Sequence, residues 1–336
     1  MREPAFWWRP PGLAAALLAP AAAAYGAIAE RALRQTGQHS RVPVLCVGNL
    51  TVGGGGKTPT AIAIAKLYLV AGMRPIFLTR GYGGRLSGPI RVDAKVHRAA
   101  DVGDEPLLLA RAATTIVARD RVAGAALAQS IGADVIVMDD GFQNPSLVKD
   151  LALLVVDGRR GIGNGRVIPA GPLRAPLAVQ LEYADALLTV GEAKGASDVV
   201  AEATERGLSI FHGRLEPDPA AIAALRGRKV LAFAGIADPG KFFATLAAIG
   251  ITATATERFP DHHRYAATDV RHLLTRADHE LLDLVTTEKD LVRLQGQQDA
   301  AELLARTSAL PVSLMFDEED AVRRLMLDVV RRKSSE

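Results

Sequence analysis

A glycine-rich loop between an apolar strand and a helix constrains this 336-residue chain more than any other feature. The loop reads Thr51-Val-Gly-Gly-Gly-Gly-Lys57-Thr58 and follows the apolar run Val42–Val47. Glycines let successive backbone N–H groups turn inward around phosphate oxygens, and the next helix adds partial positive charge at its N-terminus. In such a loop the lysine reaches the outer phosphates and the threonine hydroxyl binds Mg²⁺. The predicted nucleotide-binding residues are Thr51, Val52, Gly53, Gly54, Gly55, Gly56, Lys57 and Thr58.

One position of this loop departs from the usual phosphate-loop pattern. The pattern opens with glycine five residues before Gly56, where this chain has Thr51. Four consecutive glycines in a strand–loop–helix setting still favour a phosphate site. The alternative interpretation is a flexible glycine linker that precedes Lys57 and Thr58 by chance.

A second apolar run supplies the acids that such a loop needs. Val135–Met138 is followed directly by Asp139 and Asp140, and strands of α/β sheets present ligand-binding residues at their C-terminal edge. Because carboxylates hold hydrated Mg²⁺ at this position in phosphate-loop enzymes, we predict a metal site made of Thr58, Asp139 and Asp140. A simple turn would explain the second acid, but not an apolar run that ends in both.

The order of apolar runs and helical stretches predicts an α/β fold with a mostly parallel sheet. Glu216-Pro-Asp-Pro219 has the composition of a linker. We expect a P-loop kinase-like, ATP-binding core over residues 36–217 and a second, smaller α/β domain over residues 218–336. The runs typical of strands are Val42–Val47, Pro75–Thr79, Thr115–Ala118, Val135–Met138, Leu151–Val156, Ala184–Val190, Val230–Ala234, Ile251–Thr256, Leu282–Thr287 and Val312–Phe316.

Residues 1–35 are expected to form an N-terminal membrane-associated helix. The Ala- and Leu-rich stretch 5–29 has arginines on both sides and contains Trp7, Trp8, Leu13 and Leu17. A signal peptide, a spanning helix, an interfacial helix and a helix packed on the chain's own core are the alternatives. Three prolines interrupt the run and disfavour a spanning helix, and a nucleotide site disfavours export. We expect an interfacial helix that binds a membrane surface through these tryptophans and leucines.

The bulk composition bears on the partners and on the sites that the chain can have. The net charge of +3 is small for this length and does not indicate a nucleic-acid partner. Cys46 is the single cysteine, which excludes a disulfide framework and a cysteine-based metal site and fits a reducing, cytoplasmic compartment.

Other polar segments have roles that the residues alone leave open. Gly103-Asp104-Glu105-Pro106 has the composition of an ordinary helix start. Asp261-His262-His263 has no third ligand at metal-binding spacing, which favours a surface turn. Arg80 and Arg174 lie where a strand or loop would face phosphates, yet each could be a solvated arginine.

Taken together, the motifs resemble those of the tetraacyldisaccharide 4′-kinases, which are lipid A 4′-kinases. The resemblance runs from about residue 47 to residue 290, and Thr51 matches the family's own variant of the loop. The matching stretches are Val47-Gly-Asn49-Leu-Thr51-Val-Gly-Gly-Gly-Gly-Lys57-Thr58-Pro59, Leu78-Thr-Arg80-Gly-Tyr82-Gly-Gly, Gly103-Asp104-Glu105-Pro106, Ala118-Arg119-Asp120-Arg121, Asp139-Asp140-Gly-Phe142-Gln143, Gly163-Asn-Gly165, Pro169-Ala-Gly-Pro-Leu-Arg174, Phe259-Pro-Asp261-His262-His263 and Thr286-Thr-Glu288-Lys289-Asp290.

The resemblance implies an enzyme that uses ATP and Mg²⁺ to phosphorylate the 4′-hydroxyl of a tetraacyldisaccharide 1-phosphate in lipid A biosynthesis. It implies a glycolipid substrate and a membrane-associated location at the cytoplasmic face of the bacterial inner membrane. Asp104 would be the general base, and His262 would orient it once the two domains close over ATP. Lys57 and Asp140 would also act in catalysis.

The resemblance further implies that Arg80, Arg119 and Arg174 contact the transferred phosphoryl group or the 1-phosphate of the substrate. Asn144 and Ala175 depart from the family pattern, which usually has His and Glu at these positions. We therefore expect altered surroundings near the metal and near Arg174.

Two other functions remain as alternatives. A P-loop GTPase or ATPase switch, or a metallochaperone-like protein, would carry an additional lysine where this chain has Val52. The sequence also lacks the Asn-Lys-x-Asp motif that reads guanine. The other alternative is a membrane-peripheral protein that only holds phosphate, and such a protein would not need Asp104.

Overall fold

The computed structural model describes residues 3–334 and arranges their strands in two sheets, which confirms the predicted α/β fold. The strands are β1 (Val44–Asn49), β2 (Pro75–Thr79), β3 (Ile90–Arg91), β4 (Thr115–Val117), β5 (Val135–Asp139), β6 (Leu151–Asp157), β7 (Ala186–Val190), β8 (Ser209–Pro217), β9 (Val230–Ala234), β10 (Ala253–Arg258), β11 (Asp283–Thr287), β12 (Thr307–Leu310) and β13 (Val312–Phe316). The helices are α1 (Leu13–Leu17), α2 (Ala19–Leu33), α3 (Lys57–Val70), α4 (Ala99–Val102), α5 (Asp104–Leu109), α6 (Arg121–Ser130), α7 (Leu177–Glu182), α8 (Ser197–Glu205), α9 (Pro219–Leu225), α10 (Pro239–Ala248), α11 (Ala267–Glu280), α12 (Glu288–Leu294), α13 (Ala301–Arg306) and α14 (Glu319–Ser334).

The larger sheet has the strand order β13-β8-β7-β6-β1-β5-β2-β4-β3. Neighbouring strands are parallel except at the two edges, where β13 runs antiparallel to β8 and β3 runs antiparallel to β4. Because β1 lies between β5 and β6, the chain leaves β1 at the point where the strand order reverses. Ligands bind outside the C-terminal ends of strands at such points, and the predicted phosphate loop follows β1 there.

Both faces of the larger sheet are buried, which explains why its strands are nearly continuous apolar runs. On one face α3 and α14 pack together, and the Tyr68 hydroxyl donates to the Met326 carbonyl at 2.9 Å. The helices α2, α6, α7 and α8 cover the other face. Cys46 in β1 is fully buried, and burial raises the pKa of its thiol to about 12.

The smaller sheet is parallel throughout and has the order β10-β9-β11-β12. Apolar side chains of α11, α12 and α13 pack on one face, and those of α9 and α10 pack on the other. The segment after β10 contains His262, whose backbone N–H donates to the Gly235 carbonyl after β9 at 3.1 Å. The C-terminal ends of these strands therefore carry the histidine that the sequence singled out.

The end of the chain does not follow the predicted boundary at residue 218. The strand β8 includes Glu216-Pro217, predicted as linker, and β13 pairs with β8 so that Phe316 lies opposite Gly213. The helix α14 then packs against α3. Residues 312–334 return to the larger sheet because they cover a strand edge and an apolar helix face that would otherwise be exposed. We propose one unit of residues 36–217 with 312–334, and a second unit of residues 218–311.

The N-terminal segment forms short helices on the unit that contains the larger sheet. One side of α2, including Gly26 and Leu33, is buried. In contrast, Leu13, Leu17 and Ile28 are 85%, 82% and 70% exposed, which leaves an apolar surface on α1 and α2. Among residues 3–334, none of the helices has the length and apolar character needed to cross a membrane.

Trp7 and Trp8 do not lie on this exposed surface, which corrects the expectation that they face a membrane. The indole N–H of buried Trp7 donates to the Pro169 carbonyl at 3.0 Å. The indole N–H of Trp8 donates to Glu3 Oε2 at 3.0 Å, and the Arg160 guanidinium lies 4.8 Å from a Trp8 ring centroid. Because both indoles find partners within the chain, they hold the N-terminus on the loops around residues 160 and 169.

Candidate active site

The phosphate loop joins β1 to α3, and a side chain at the end of β1 organises it. Asn49 Nδ2 donates to the Gly53 carbonyl at 3.1 Å, and Asn49 Oδ1 accepts from the Thr51 N–H at 3.3 Å. Gly56 has φ 94°, a left-handed conformation that glycine adopts without strain, and it caps the N-terminus of α3. The loop therefore presents the positive end of a 14-residue helix to an anion.

Arg174 and its neighbours tie this loop to a second one. The Val52 N–H donates to the Pro172 carbonyl at 2.9 Å. Arg174 Nε donates to the Thr51 carbonyl at 3.1 Å, and Arg174 Nη1 donates to Asp140 Oδ1 at 2.7 Å. The structure thus brings Arg174 to the phosphate loop and to one of the two predicted acids.

Lys57 and Thr58 begin α3 and face the acids at the end of β5. Lys57 Nζ lies 3.8 Å from Asp140 Oδ1, and Thr58 Oγ1 donates to Asp139 Oδ2 at 3.4 Å. Burial lowers the pKa of Lys57, although the charge of Asp140 opposes this shift. Lys57 Nζ also donates to the Gly53 carbonyl at 3.4 Å, so the ammonium group is turned into the loop. The predicted lysine, threonine and acids are therefore in one place.

Asp139 and Asp140 are adjacent but have different surroundings. Burial and the charges of Glu105 and Asp140 raise the pKa of Asp139 to about 7. Desolvation also favours the neutral form of Asp140, but the charges of Lys57 and Arg174 hold the pKa of that carboxyl well below its usual range. Asp139 Oδ1 is buried and has no hydrogen-bond partner within residues 3–334. An ionised Asp139 therefore needs a further cation.

Magnesium fits the oxygen atoms at this point. The Thr58 hydroxyl and the Asp139 carboxylate are hard ligands, and Asp139 Oδ1 lacks any other partner in the described chain. Across residues 3–334, no group of three or more His, Cys, Asp or Glu side chains could hold a metal ion. Mg²⁺ commonly takes one or two carboxylates and completes its shell with water and substrate phosphates. A site with so few protein ligands is thus suited to a nucleotide-bound magnesium ion.

Asp104 begins α5 at a buried position between the two units. Gly103 before it has φ 94°, and an added Cβ would lie 2.5 Å from the Tyr82 carbonyl oxygen, so only glycine fits there. His262 Nδ1 lies 3.2 Å from Asp104 Oδ2, and Arg293 Nε donates to the same oxygen at 2.6 Å. Burial opposes ionisation of Asp104, but the hydrogen bond with His262 and the charge of Arg293 hold its pKa well below its usual range. The same hydrogen bond raises the pKa of His262.

The contact between Asp104 and His262 corrects one detail of the sequence-based expectation. Closure over ATP was expected to bring them together, whereas the structure already has them in contact across the two units. The reason is that α12 of the smaller unit packs against α5, with Lys289 Nζ 2.7 Å from Glu105 Oε1.

Glu105 connects the two halves of the site. It directly follows Asp104, and its charge acts on the pKa values of both Asp139 and Lys57. The base candidate and the phosphate loop therefore belong to one charged cleft between the units.

Two cavities open on this cleft. One, of about 570 Å³, begins at Thr58 and runs along α3 between mostly apolar side chains. The other, of about 390 Å³, is lined by Asp104 and His262 together with polar and cationic residues. The apolar side chains of the first include Ile62, Leu108, Phe242 and Leu310, and the second also contains Tyr82, Arg85, Arg98, Arg264 and Arg293.

The three predicted substrate-binding arginines differ in their surroundings. Arg80 follows β2 and is exposed. Arg119 is exposed as well, and its Nη2 donates to the Gly84 carbonyl at 3.4 Å. Within residues 3–334, Arg174 is the one of the three that forms a hydrogen bond to the phosphate loop.

A fourth arginine, Arg121, is not among the residues predicted from the sequence. It is buried and donates to the Ala118 carbonyl, and its Nε has no partner within the described chain. The charges of Asp139 and Asp140 act on its pKa, which burial lowers, so it lies near the metal site. Arg121 is four residues before the buried Ala125 on α6, so both lie on the same face of the helix. This helical spacing could have predicted from the sequence that Arg121 is buried.

The two departures from the family pattern lie in loops that support the site. Asn144 Oδ1 accepts from the Ser146 N–H at 2.9 Å, beside Gln143, whose Nε2 donates to the Asn49 carbonyl at 3.0 Å. Ala175 is buried, and its carbonyl accepts from Gln180 at 2.8 Å.

The chain is similar to a known family over almost its whole length. The profile of the tetraacyldisaccharide-1-P 4′-kinase family matches residues 14–331. A tetraacyldisaccharide 4′-kinase from Nitrobacter winogradskyi is 51% identical over 332 residues, which cover 99% of this chain and 98% of that protein. One from Methylobacterium sp. is 57% identical over 312 residues, which cover 93% of this chain and 94% of that protein. The solved structure of LpxK from Aquifex aeolicus in complex with ATP has a TM-score of 0.72 and 28% identity, covering 94% of this chain and 99% of that one.

Proposed function

Because this chain belongs to the tetraacyldisaccharide-1-P 4′-kinase family, we propose a division of tasks among the residues of its cleft. The chain uses ATP to phosphorylate the 4′-hydroxyl of a tetraacyldisaccharide 1-phosphate in lipid A biosynthesis. A P-loop GTPase or ATPase switch and a metallochaperone-like protein are not favoured by these matches.

The phosphate loop and the apolar cavity hold the nucleotide. Backbone N–H groups of residues 51–56 and the Lys57 ammonium bind the phosphates, as their position at the N-terminus of α3 favours. Thr58, Asp139 and Asp140 hold Mg²⁺, which neutralises phosphate charge when it is bound. The cavity of about 570 Å³ next to Thr58 takes the nucleoside, because its walls are mostly apolar.

Asp104 acts as the general base for the acceptor sugar. The 4′-hydroxyl oxygen forms a bond to the γ-phosphorus while the bond from that phosphorus to ADP breaks, and the hydroxyl proton passes to Asp104. His262 donates its Nδ1–H to Asp104 Oδ2 and fixes the direction of the carboxylate. A placed base of this kind contributes about 10²–10⁴-fold to the rate.

The three predicted arginines serve the phosphate groups. Arg174 is tied to Asp140 and to the loop, so its charge lies where the transferred phosphoryl group passes. Arg80 and Arg119 are exposed at the ends of β2 and β4 and are proposed to contact the 1-phosphate of the glycolipid.

The N-terminal helices are proposed to bind the cytoplasmic face of the bacterial inner membrane. Exposed leucines and isoleucine on α1 and α2 form an apolar surface of the kind that inserts at a lipid interface. A glycolipid acceptor would be presented there. The small net charge of +3 supports the expectation of no nucleic-acid partner.

The observation that carries this proposal is the placement of the Asp104–His262 pair and the phosphate loop around one cleft. The test is incubation of the purified protein with ATP, Mg²⁺ and the tetraacyldisaccharide 1-phosphate, followed by mass analysis of the lipid. We expect the wild type to add one phosphate, and Asp104→Ala to lower kcat by about 10²–10⁴-fold while ATP still binds. Lys57→Ala should weaken nucleotide binding and catalysis together. Wild-type kcat in a folded Asp104→Ala protein would show that the base lies elsewhere.

A further inference from the structure

Helix α12 of the smaller unit places two cations on the two acids that begin α5. Lys289 Nζ lies 2.7 Å from Glu105 Oε1, and Arg293 Nε lies 2.6 Å from Asp104 Oδ2. The two cations are four residues apart, so they share one face of α12. The side chains of Arg293 and Asp104 are 6% and 4% exposed, so water screens this ion pair very little.

Arg293 is also held from its other side by buried groups of the smaller unit. Its Nη1 donates to Asp290 Oδ1 at 2.9 Å and to the Gly235 carbonyl. The same Asp290 oxygen accepts from the Tyr265 hydroxyl at 2.8 Å and from the Gly235 N–H at 3.0 Å. Asp290 is fully buried. The guanidinium therefore has one orientation, and that orientation points its Nε at Asp104.

We propose that Arg293 is a positioning residue for the phosphoryl transfer, which holds the Asp104 carboxylate in place for the substrate hydroxyl from across the two units. The proposal rests on the role of Asp104 as general base. Arg293 touches neither reacting atom; it acts through Asp104.

The physical reason is the cost of a buried negative charge. A buried carboxylate that loses its cation takes up a proton, and a protonated Asp104 can no longer accept one from the sugar. The charged groups nearest Asp104 are His262, Arg293, Lys289 and Glu105, and Arg85, Arg98, Asp101 and Arg264 line the same cavity. Lys289 is paired with Glu105, so Arg293 and His262 are the groups in direct contact with the base. Of the two, the Arg293 guanidinium stays charged at every working pH.

The hydrogen bonds also leave room for the acceptor. Asp104 Oδ2 forms hydrogen bonds with His262 and Arg293, whereas Asp104 Oδ1 accepts a hydrogen bond from the Glu105 N–H at 3.0 Å. A carboxylate oxygen has more than one acceptor position, so Oδ1 can still receive the sugar hydroxyl while Arg293 holds Oδ2.

The test compares Arg293→Gln and Arg293→Lys with Arg159→Gln as a matched control. Arg159 follows β6 and pairs with Asp238 before α10, so its replacement removes an ion pair between the two units without touching Asp104 or the lining of either cavity. We expect Arg293→Gln to lower kcat by about 10²-fold with an unchanged KM for ATP. The acidic limb of its kcat–pH profile should move to higher pH. The reason is that burial raises the pKa of Asp104 once the guanidinium charge no longer offsets it. Arg293→Lys keeps a charge and should keep the wild-type pH limit with a smaller loss of kcat, and Arg159→Gln should match the wild type in both.

Additional variants separate this inference from the proposed function. In an Asp104→Asn background, Arg293→Gln should lower kcat no further, because the group it positions is already lost. If Asp104→Asn alone keeps wild-type kcat, the assigned base is wrong. If Asp104→Asn is inactive while folded Arg293→Gln keeps the wild-type kcat and pH profile, only the role of Arg293 is overturned. Should Arg293→Gln fail to fold, Arg293→Lys decides, and wild-type kcat in that variant contradicts the inference.

Discussion

At the scale of single residues, the neighbours of two buried carboxylates in one cleft favour opposite protonation states. Burial favours the neutral form of both Asp104 and Asp139. His262 and Arg293 reverse this effect at Asp104 and hold its pKa well below the usual range, whereas the charge of Glu105 adds to it and raises the pKa of Asp139. The first acid is therefore ionised and the second is neutral until a cation binds, which suits the base and metal-ligand roles proposed for them.

The pair of His262 and Asp104 also makes stability depend on pH. The pKa of His262 is raised above 6.5 by its hydrogen bond with Asp104. The contribution of His262 to stability is thus fully present below pH 6.5, while Asp104 stays ionised, and is lost as pH rises through the folded-state pKa of His262. We expect His262→Gln to lower the free energy of unfolding by about 1 kcal/mol below pH 6.5, and by less toward alkaline pH. Urea unfolding of both proteins across this range measures the difference, and a difference that grows with pH would contradict the assignment.

At the scale of elements, signals that are contiguous in the sequence located most of the site. The loop after β1 and the acids after β5 are short motifs, so spacing alone predicted Lys57, Thr58 and Asp139. Arg293 was not predicted because its partner Asp104 is 189 residues away in the sequence, and no local spacing pattern links the two residues. The strand β8 was not predicted because its residues alternate between exposed and more buried positions and it ends in a proline that is typical of a linker.

The helices α1 and α2 give a prediction at the same scale. Replacement of Leu13, Leu17 and Ile28 by serine should move the protein from vesicles of anionic phospholipid to the supernatant in sedimentation, because the apolar surface is lost. The kcat on detergent-solubilised substrate should stay at the wild-type value. A matched control replaces three exposed apolar residues elsewhere, Leu69, Val70 and Leu281, by serine. Equal vesicle binding by the two triple variants would argue against the N-terminal surface.

At the scale of the whole molecule, the unit that contains the larger sheet depends on residues far along the chain. Met326 of α14 is fully buried against α3, the helix that begins with Lys57 and Thr58. Its replacement by alanine leaves a cavity there, and we expect a loss of about 2–5 kcal/mol in the free energy of unfolding.

The control for this prediction is Met315→Ala on β13, because the Met315 side chain is 37% exposed. Urea unfolding of both variants should show a much smaller loss for Met315→Ala. Similar losses would mean that the contact between α3 and α14 contributes little.

The return of residues 312–334 to the larger sheet also determines the order in which the protein is completed during synthesis. Translation proceeds from the N-terminus, so α3 and β8 leave the ribosome well before β13 and α14. Until the last segment emerges, β8 lacks its antiparallel partner and the apolar face of α3 is uncovered. Residues 36–217 are synthesised before the smaller unit, but their unit is incomplete until residues 312–334 emerge. The smaller unit is contiguous in the sequence and is therefore complete first. A nascent chain at this stage carries an open strand edge, which is where protection from aggregation is needed.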